Sequence, residues 1–68
     1  MKQRIVYQGW ERPLIAVLID RTWYPGELRM WTQHDDDTWT ADVSYTDEHH
    51  MNHLTSVASD QVRPVEEH

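Results

Sequence analysis

Apolar and polar residues alternate along much of this chain with the period of two that is typical of half-buried β-strands. The clearest alternation lies in residues 38–46, where the apolar positions are Trp39, Ala41, Val43 and Tyr45. Residues 14–19 form a short apolar run rich in branched side chains, which predicts a buried strand. No segment sustains the 3.6-residue apolar period of a helix, so the pattern favours an all-β chain.

Residues 23–31 predict a second half-buried strand with two distinct faces. We expect one face in the core and the other in solvent: Tyr24, Gly26, Leu28 and Met30 on the first, Trp23, Glu27, Arg29 and Trp31 on the second. The Pro25-Gly26 pair inside this strand predicts the bend or bulge that a tight barrel needs. Of the other tryptophans, Trp39 is expected in the core and Trp10 over one open end of the barrel.

The last third of the chain predicts two further strands around one helical turn. Residues 53–57 are the fourth strand, residues 58–61 the turn with Ser59 as its cap, and residues 62–65 the closing strand. The sequence therefore predicts an all-β fold, a small five-stranded antiparallel barrel with one helical turn near residues 58–61. Residues 1–68 would form this single domain, with a core over about 12–65, a flexible N-terminus and a C-terminal tail.

Three segments resemble the Tudor-like and SH3-like family of small barrels. They are WYPGEL at residues 23–28, DVSYTD at 42–47 and ASDQVRP at 58–64, and their order and spacing follow the family's second strand, third strand and final turn. The chain is also similar to short bacterial proteins with a Trp-Tyr-Pro-Gly strand. The resemblance covers about residues 12–65 and implies a binding domain with no catalytic activity.

The family binds methylated lysine or arginine in an aromatic cage, and the resemblance implies positions for its walls. Tyr24 and Tyr45 match two cage positions. Val17 and Glu48 stand at the two others, where the family usually has aromatic residues. Trp23, Trp31 or Trp39 would have to supply the remaining walls of a complete cage.

Charge and composition narrow the classes of function. The chain has twelve Asp and Glu against six Lys and Arg, a net charge of −6, so a cationic partner is favoured and nucleic acid is not expected. There is no cysteine, and the longest apolar run of six residues is far shorter than the roughly 20 that span a bilayer. These features predict a soluble cytoplasmic protein that does not associate with membranes.

Catalysis and metal binding are not expected. The histidines at 49, 50 and 53 match no zinc spacing, and the three aspartates at 35–37 lack the glycine and glutamate of a calcium loop. No nucleophile elbow or phosphate-binding glycine loop is present. The sequence thus predicts no catalytic residues, no metal and no cofactor.

The leading hypothesis is an interaction module that binds a cationic or extended peptide of a partner protein. Surface aromatics and acidic loops would bind that peptide through Trp23, Tyr24, Trp31, Tyr45, Glu27 and Asp47. The alternative is a homo-oligomeric assembly protein, in which a second copy covers the exposed aromatics. A nucleic-acid-binding barrel, which would stack bases on aromatic side chains, is the third hypothesis.

Overall fold

A computed structural model of the chain describes residues 2–65, which form β-strands and one turn of 3₁₀-helix. The strands are β1 (Gln3–Val6), β2 (Leu14–Ile19), β3 (Thr22–Gln33), β4 (Trp39–Thr46), β5 (Asn52–Ala58) and β6 (Val62–Pro64). All strand pairs are antiparallel. The prediction of an all-β chain is confirmed, and the predicted helical turn is the 3₁₀ turn Ser59–Gln61.

The six strands form one sheet in the order β5-β4-β3-β2-β6. Strand β3 is central, because its first half pairs with β2, its second half pairs with β1, and β4 lies along its other edge. Among the described strands β5 and β6 end this path without pairing to each other, so the sheet is not closed. Six strands replace the five predicted, since the N-terminus expected to be flexible forms β1, in which Ile5 pairs with Trp31.

A β-bulge at Arg29 reverses the two faces of β3. Leu28 pairs with Val43 and Met30 pairs with Asp42, so Arg29 is the extra residue. Because side chains alternate with a period of two, one inserted residue moves every later side chain to the opposite face. The predicted bulge is therefore at Arg29 and not at Pro25-Gly26. The predicted faces are wrong beyond it, because Trp31, not Met30, continues the core face of Leu28.

The core is small and lies on one side of the bent sheet. Its buried side chains are Ile15, Val17, Leu28, Ala41, Val43 and Val57. Tyr24, Trp31 and Tyr45 are partly buried and pack against it. Trp39 was expected in the core but is only half-buried and is not among these residues.

The Gln61 side chain links the 3₁₀ turn to β5 and β2. Its side-chain Oε1 accepts a hydrogen bond from the Ala58 N–H, and its Nε2 donates to the Leu18 carbonyl, both at 3.1 Å. Ser59 is not the cap residue as predicted, because Ala58 occupies that position. The predicted tail at residues 66–68 lies outside the described residues.

No helix within residues 2–65 is long and apolar enough to cross a membrane.

Candidate functional site

The six residues predicted to bind a partner lie in three separate places. Trp23 and Glu27 share the outward face of the first half of β3, and Trp31 lies beyond the bulge on the core face. The other three residues lie together at the opposite end of the sheet from Trp31: Tyr24, Tyr45 and Asp47. The structure thus separates Trp23 from Trp31, whereas the sequence pattern predicts both on one face.

The outward residues of β3 already have partners within the chain. The guanidinium carbon of Arg63 lies 4.1 Å from the centre of a Trp23 ring, a cation–π contact between β6 and β3. A Glu27 carboxylate oxygen lies 4.0 Å from Arg12 Nη1. An external cation would have to compete with these arginines at either residue.

Three rings, here called the ring cluster, line up across β3, β4 and β5. The centroids of Tyr24 and Tyr45 are 5.5 Å apart, with their planes at 33°. Tyr45 and His53 stack at 4.9 Å and 21°. Tyr45 is the cross-strand partner of both Gly26 and His53, so strand register brings these residues together.

Gly26 allows the strand contact on which the ring cluster is built. A Cβ atom at this position would lie 2.2 Å from the Ser44 carbonyl oxygen and 3.1 Å from Tyr45 Cβ. Only glycine lacks that atom, so β3 and β4 approach closely at the pair that carries Tyr45. The same glycine therefore supports both the fold and the site.

Asp47 organises the loop between β4 and β5 and positions His53. Its Oδ1 accepts hydrogen bonds from the backbone N–H groups of His49 at 2.8 Å and Met51 at 3.0 Å. Its Oδ2 lies 2.8 Å from His53 Nε2. The hydrogen bond with His53, followed by that from Met51, lowers the pKa of Asp47 to about 2. Both oxygens are engaged, so Asp47 acts by holding the ring in place.

Glu48 supplies the accessible negative charge beside the rings. Its Oε2 accepts a hydrogen bond from the Tyr24 hydroxyl at 2.7 Å, while its side chain remains 65% exposed. This bond lowers the pKa of Glu48 and raises the pKa of Tyr24, because it stabilises the carboxylate and the protonated phenol. Glu48 and His53 were missing from the predicted binding set. Glu48 had been placed at a cage position of the resembled family, whereas no sequence signal set the register that brings His53 to Tyr45.

The pKa of Asp47 predicts how the stability of the fold depends on pH. The folded-state pKa of about 2 lies below the ordinary value of 3.8, so this carboxylate contributes stability that is fully present above about pH 4. That contribution is lost as pH falls through about 2. We expect urea denaturation to show a decline in the free energy of unfolding across this window.

Asp47→Asn is the matched variant for that measurement. The amide oxygen can still accept from the two loop N–H groups, but position 47 no longer titrates. The variant should be less stable than the wild type at neutral pH, and the difference between them should shrink as pH falls from 4 to 2. A constant difference over this range would show that Asp47 does not carry the pH dependence.

The opposite end of the sheet carries an open apolar cavity. The cavity has a volume of ≈ 330 Å³ and is lined by Ile5, Trp31, Trp39 and Ser59. Trp31 and Trp39 meet edge to face, with centroids 6.3 Å apart and planes at 89°. Trp10, predicted to cover an open end of the barrel, is instead 86% exposed.

No grouping of three or more His, Asp or Glu side chains that could hold a metal ion occurs among residues 2–65. Independence from metal stays a prediction from the sequence.

Comparison of the chain with protein-family models, curated proteins and solved structures found no match.

Proposed function

We propose that this chain is a non-catalytic interaction module whose ring cluster, with Glu48 beside it, binds a cationic side chain of a partner protein. The observation that carries the proposal is the stack of Tyr24, Tyr45 and His53 next to an exposed carboxylate. Aromatic faces attract cations by about 0.5–2 kcal/mol, with the larger values at desolvated sites. A neighbouring carboxylate adds a direct charge interaction.

The proposal includes an SH3-like or Tudor-like barrel as the fold. Its support is the strand order β5-β4-β3-β2-β6 together with the 3₁₀ turn between the last two strands. It also includes the cytoplasmic location expected from the sequence.

Net charge supports a cationic partner over nucleic acid. The chain carries −6, which repels phosphate backbones and raises the local concentration of basic peptides. Binding should weaken with added salt, because mobile ions screen the attraction between exposed charges. At physiological ionic strength this attraction fades over a distance of about 8 Å. A site that stacked nucleic-acid bases on these rings would instead bind an anionic ligand in preference to a basic peptide.

Backbone-amide NMR titration with a short peptide that contains arginine and lysine tests the proposal. Shifts should concentrate at the ring cluster and at Glu48, and a peptide with glutamine at the basic positions should not produce them. Glu48→Gln and Tyr45→Leu should each raise the peptide Kd by about 5-fold or more, as expected for losses near 1 kcal/mol. Tyr45→Leu keeps an apolar side chain against the core while removing the middle ring of the cluster, which holds Tyr24 and His53 in place.

Asp60→Asn is the matched control, because Asp60 is an exposed acid on the 3₁₀ turn and its replacement changes the net charge as Glu48→Gln does. It should leave the peptide Kd within about 2-fold of the wild type. Equal weakening by both substitutions would mean that only net charge matters. Absence of any shift with folded protein would reject the ring cluster as a cation site.

A further inference from the structure

Strand β5 forms an edge of the sheet that no other strand within residues 2–65 covers. The Asp47 N–H donates to the Met51 carbonyl at 3.0 Å, which fixes the alternation of hydrogen-bonded pairs between β4 and β5. By that alternation, every second residue of β5 directs its backbone N–H and C=O away from β4: Asn52, Leu54, Ser56 and Ala58. The Ala58 N–H agrees with this assignment, because it donates to the Gln61 side chain.

The remaining outward groups of β5 form a regular template for one more strand. The outward groups of Asn52, Leu54 and Ser56 pair with no strand within residues 2–65. Sheet edges are commonly protected by lysine, proline, a bulge or a short length. Strand β5 has seven residues, no lysine or proline and an uninterrupted register, and Leu54 on this edge is 66% exposed. The edge is therefore suited to pairing with an extended segment.

The ring cluster ends at this same edge. Tyr45 stacks on one face of the His53 ring at 4.9 Å, and the His53 side chain is 43% exposed. The row of rings runs from β3 through β4 to β5, so its next position belongs to a strand added beyond β5. In an added antiparallel strand, the residue opposite His53 belongs to a non-hydrogen-bonded pair, in which the side chains lie closest. A basic side chain there reaches the end of the ring cluster.

The distribution of charge along the chain indicates what such a segment carries. All six lysine and arginine residues lie outside residues 30–62, a stretch that includes β4, β5 and seven of the twelve acidic residues. Asp47 and Glu48 precede β5 and Asp60 follows it, so carboxylates stand at both ends of the free edge. A basic segment is favoured there, whereas a second copy would bring the same acidic surface against itself.

We propose that the partner of the ring cluster is an extended basic segment that adds to β5 as an antiparallel strand. The backbone of the segment pairs with the outward groups of Asn52, Leu54 and Ser56. Lysine or arginine at alternate positions lies on the side of the rings, with one of these residues opposite His53. The strand addition rests on the proposed function, because the rings supply the cation site to which the added strand delivers a side chain.

A seven-residue peptide that alternates arginine with valine tests the strand addition by backbone-amide NMR titration of the wild-type protein. With arginine opposite His53, the valine N–H groups face β5 and the arginine N–H groups face solvent. N-methylation of the three valines should raise the peptide Kd by at least about 10-fold, because three backbone donors are lost. N-methylation of three arginines is the matched control and should change the Kd by less than about 3-fold. The bound unmodified peptide should slow hydrogen exchange at Asn52, Leu54 and Ser56.

Leu54→Pro tests the same pairing from the side of the protein. The Leu54 N–H faces away from β4, so proline removes a donor that the fold does not use, as edge strands tolerate. The variant should raise the peptide Kd by at least about 5-fold. Leu54→Ala is its matched control, because it truncates the same exposed side chain but keeps the N–H, and it should stay within about 2-fold of the wild type. Should Leu54→Pro fail to fold, the methylated peptides decide the question with the wild-type protein.

The outcomes separate the strand addition from the cation site. If valine methylation leaves the Kd unchanged while Glu48→Gln still weakens binding, the cation site stands and the strand addition is overturned. If a peptide with glutamine in place of arginine protects β5 as well as the basic peptide does, the cation site fails, and the requirement for a basic segment fails with it. Protection of the β5 amides that rises with protein concentration in the absence of peptide would assign the edge to a second copy and overturn the proposal.

Discussion

Gly26→Ala is expected to lower the free energy of unfolding by about 3 kcal/mol, the upper end of the usual cost of overpacking. The added Cβ would lie 2.2 Å from the backbone oxygen of Ser44, and a backbone atom cannot turn aside as a side-chain end can. Strands β3 and β4 would have to separate at the pair that carries Tyr45. A domain of this size has a total stability of only about 3–10 kcal/mol, so the substitution would remove a large part of it.

Gly9→Ala is the control within the same chain. A Cβ at Gly9 would have no other atom within 4 Å, so this substitution should change stability by less than about 0.5 kcal/mol. Denaturant melts of both variants give the comparison. Equal midpoints would show that β3 and β4 can separate at Gly26 without cost, and the close strand contact would then not be essential to the fold.

Trp31→Ala is expected to destabilise the fold by about 3 kcal/mol, whereas Trp23→Ala should cost about 1 kcal/mol or less. Trp31 packs against the buried core and meets Trp39 edge to face, so its truncation leaves a cavity. Trp23 lies on the outward face and loses chiefly its contact with Arg63. Both are tryptophans on β3, four residues before and four residues after Glu27, and they differ mainly in the face they occupy.

Urea melts of the two single variants test this difference, and Trp23→Ala serves as the control for Trp31→Ala. The sequence pattern alone places both side chains in solvent and predicts a small loss of stability for both substitutions. If Trp31→Ala proved as stable as Trp23→Ala, the position of Trp31 beside the core would be wrong, and so would its place in the wall of the open apolar cavity.

Local pattern and composition determined the class of fold. The alternation in residues 38–46 and the apolar run at 14–19 correspond to β4 and β2, and the turn near residues 58–61 is present as Ser59–Gln61. These predictions succeed because a strand with one face packed against a core alternates apolar and polar residues. That alternation can be seen in a few consecutive residues. The acidic net charge, on which the proposed preference for a cationic partner rests, is likewise a property of the sequence.

Strand pairing decided what the local pattern could not. The bulge at Arg29 moved Trp31 to the core face, and pairing with β3 turned the N-terminus into β1. The Pro25-Gly26 pair indicated a bulge in this strand, but its position at Arg29 depends on the pairing with β4 and not on the residue type there.

The ring cluster also depends on tertiary structure. Tyr24 and Tyr45 were predicted from the sequence, but His53 reaches them only through the register between β4 and β5, and Glu48 only through the loop that Asp47 organises. Tertiary structure also leaves the apolar cavity beside Trp31 and Trp39 open, because Trp10 lies exposed to solvent and does not cover it. Sequence determines which residues tend to be buried, whereas contacts between residues distant in the chain determine which of them meet.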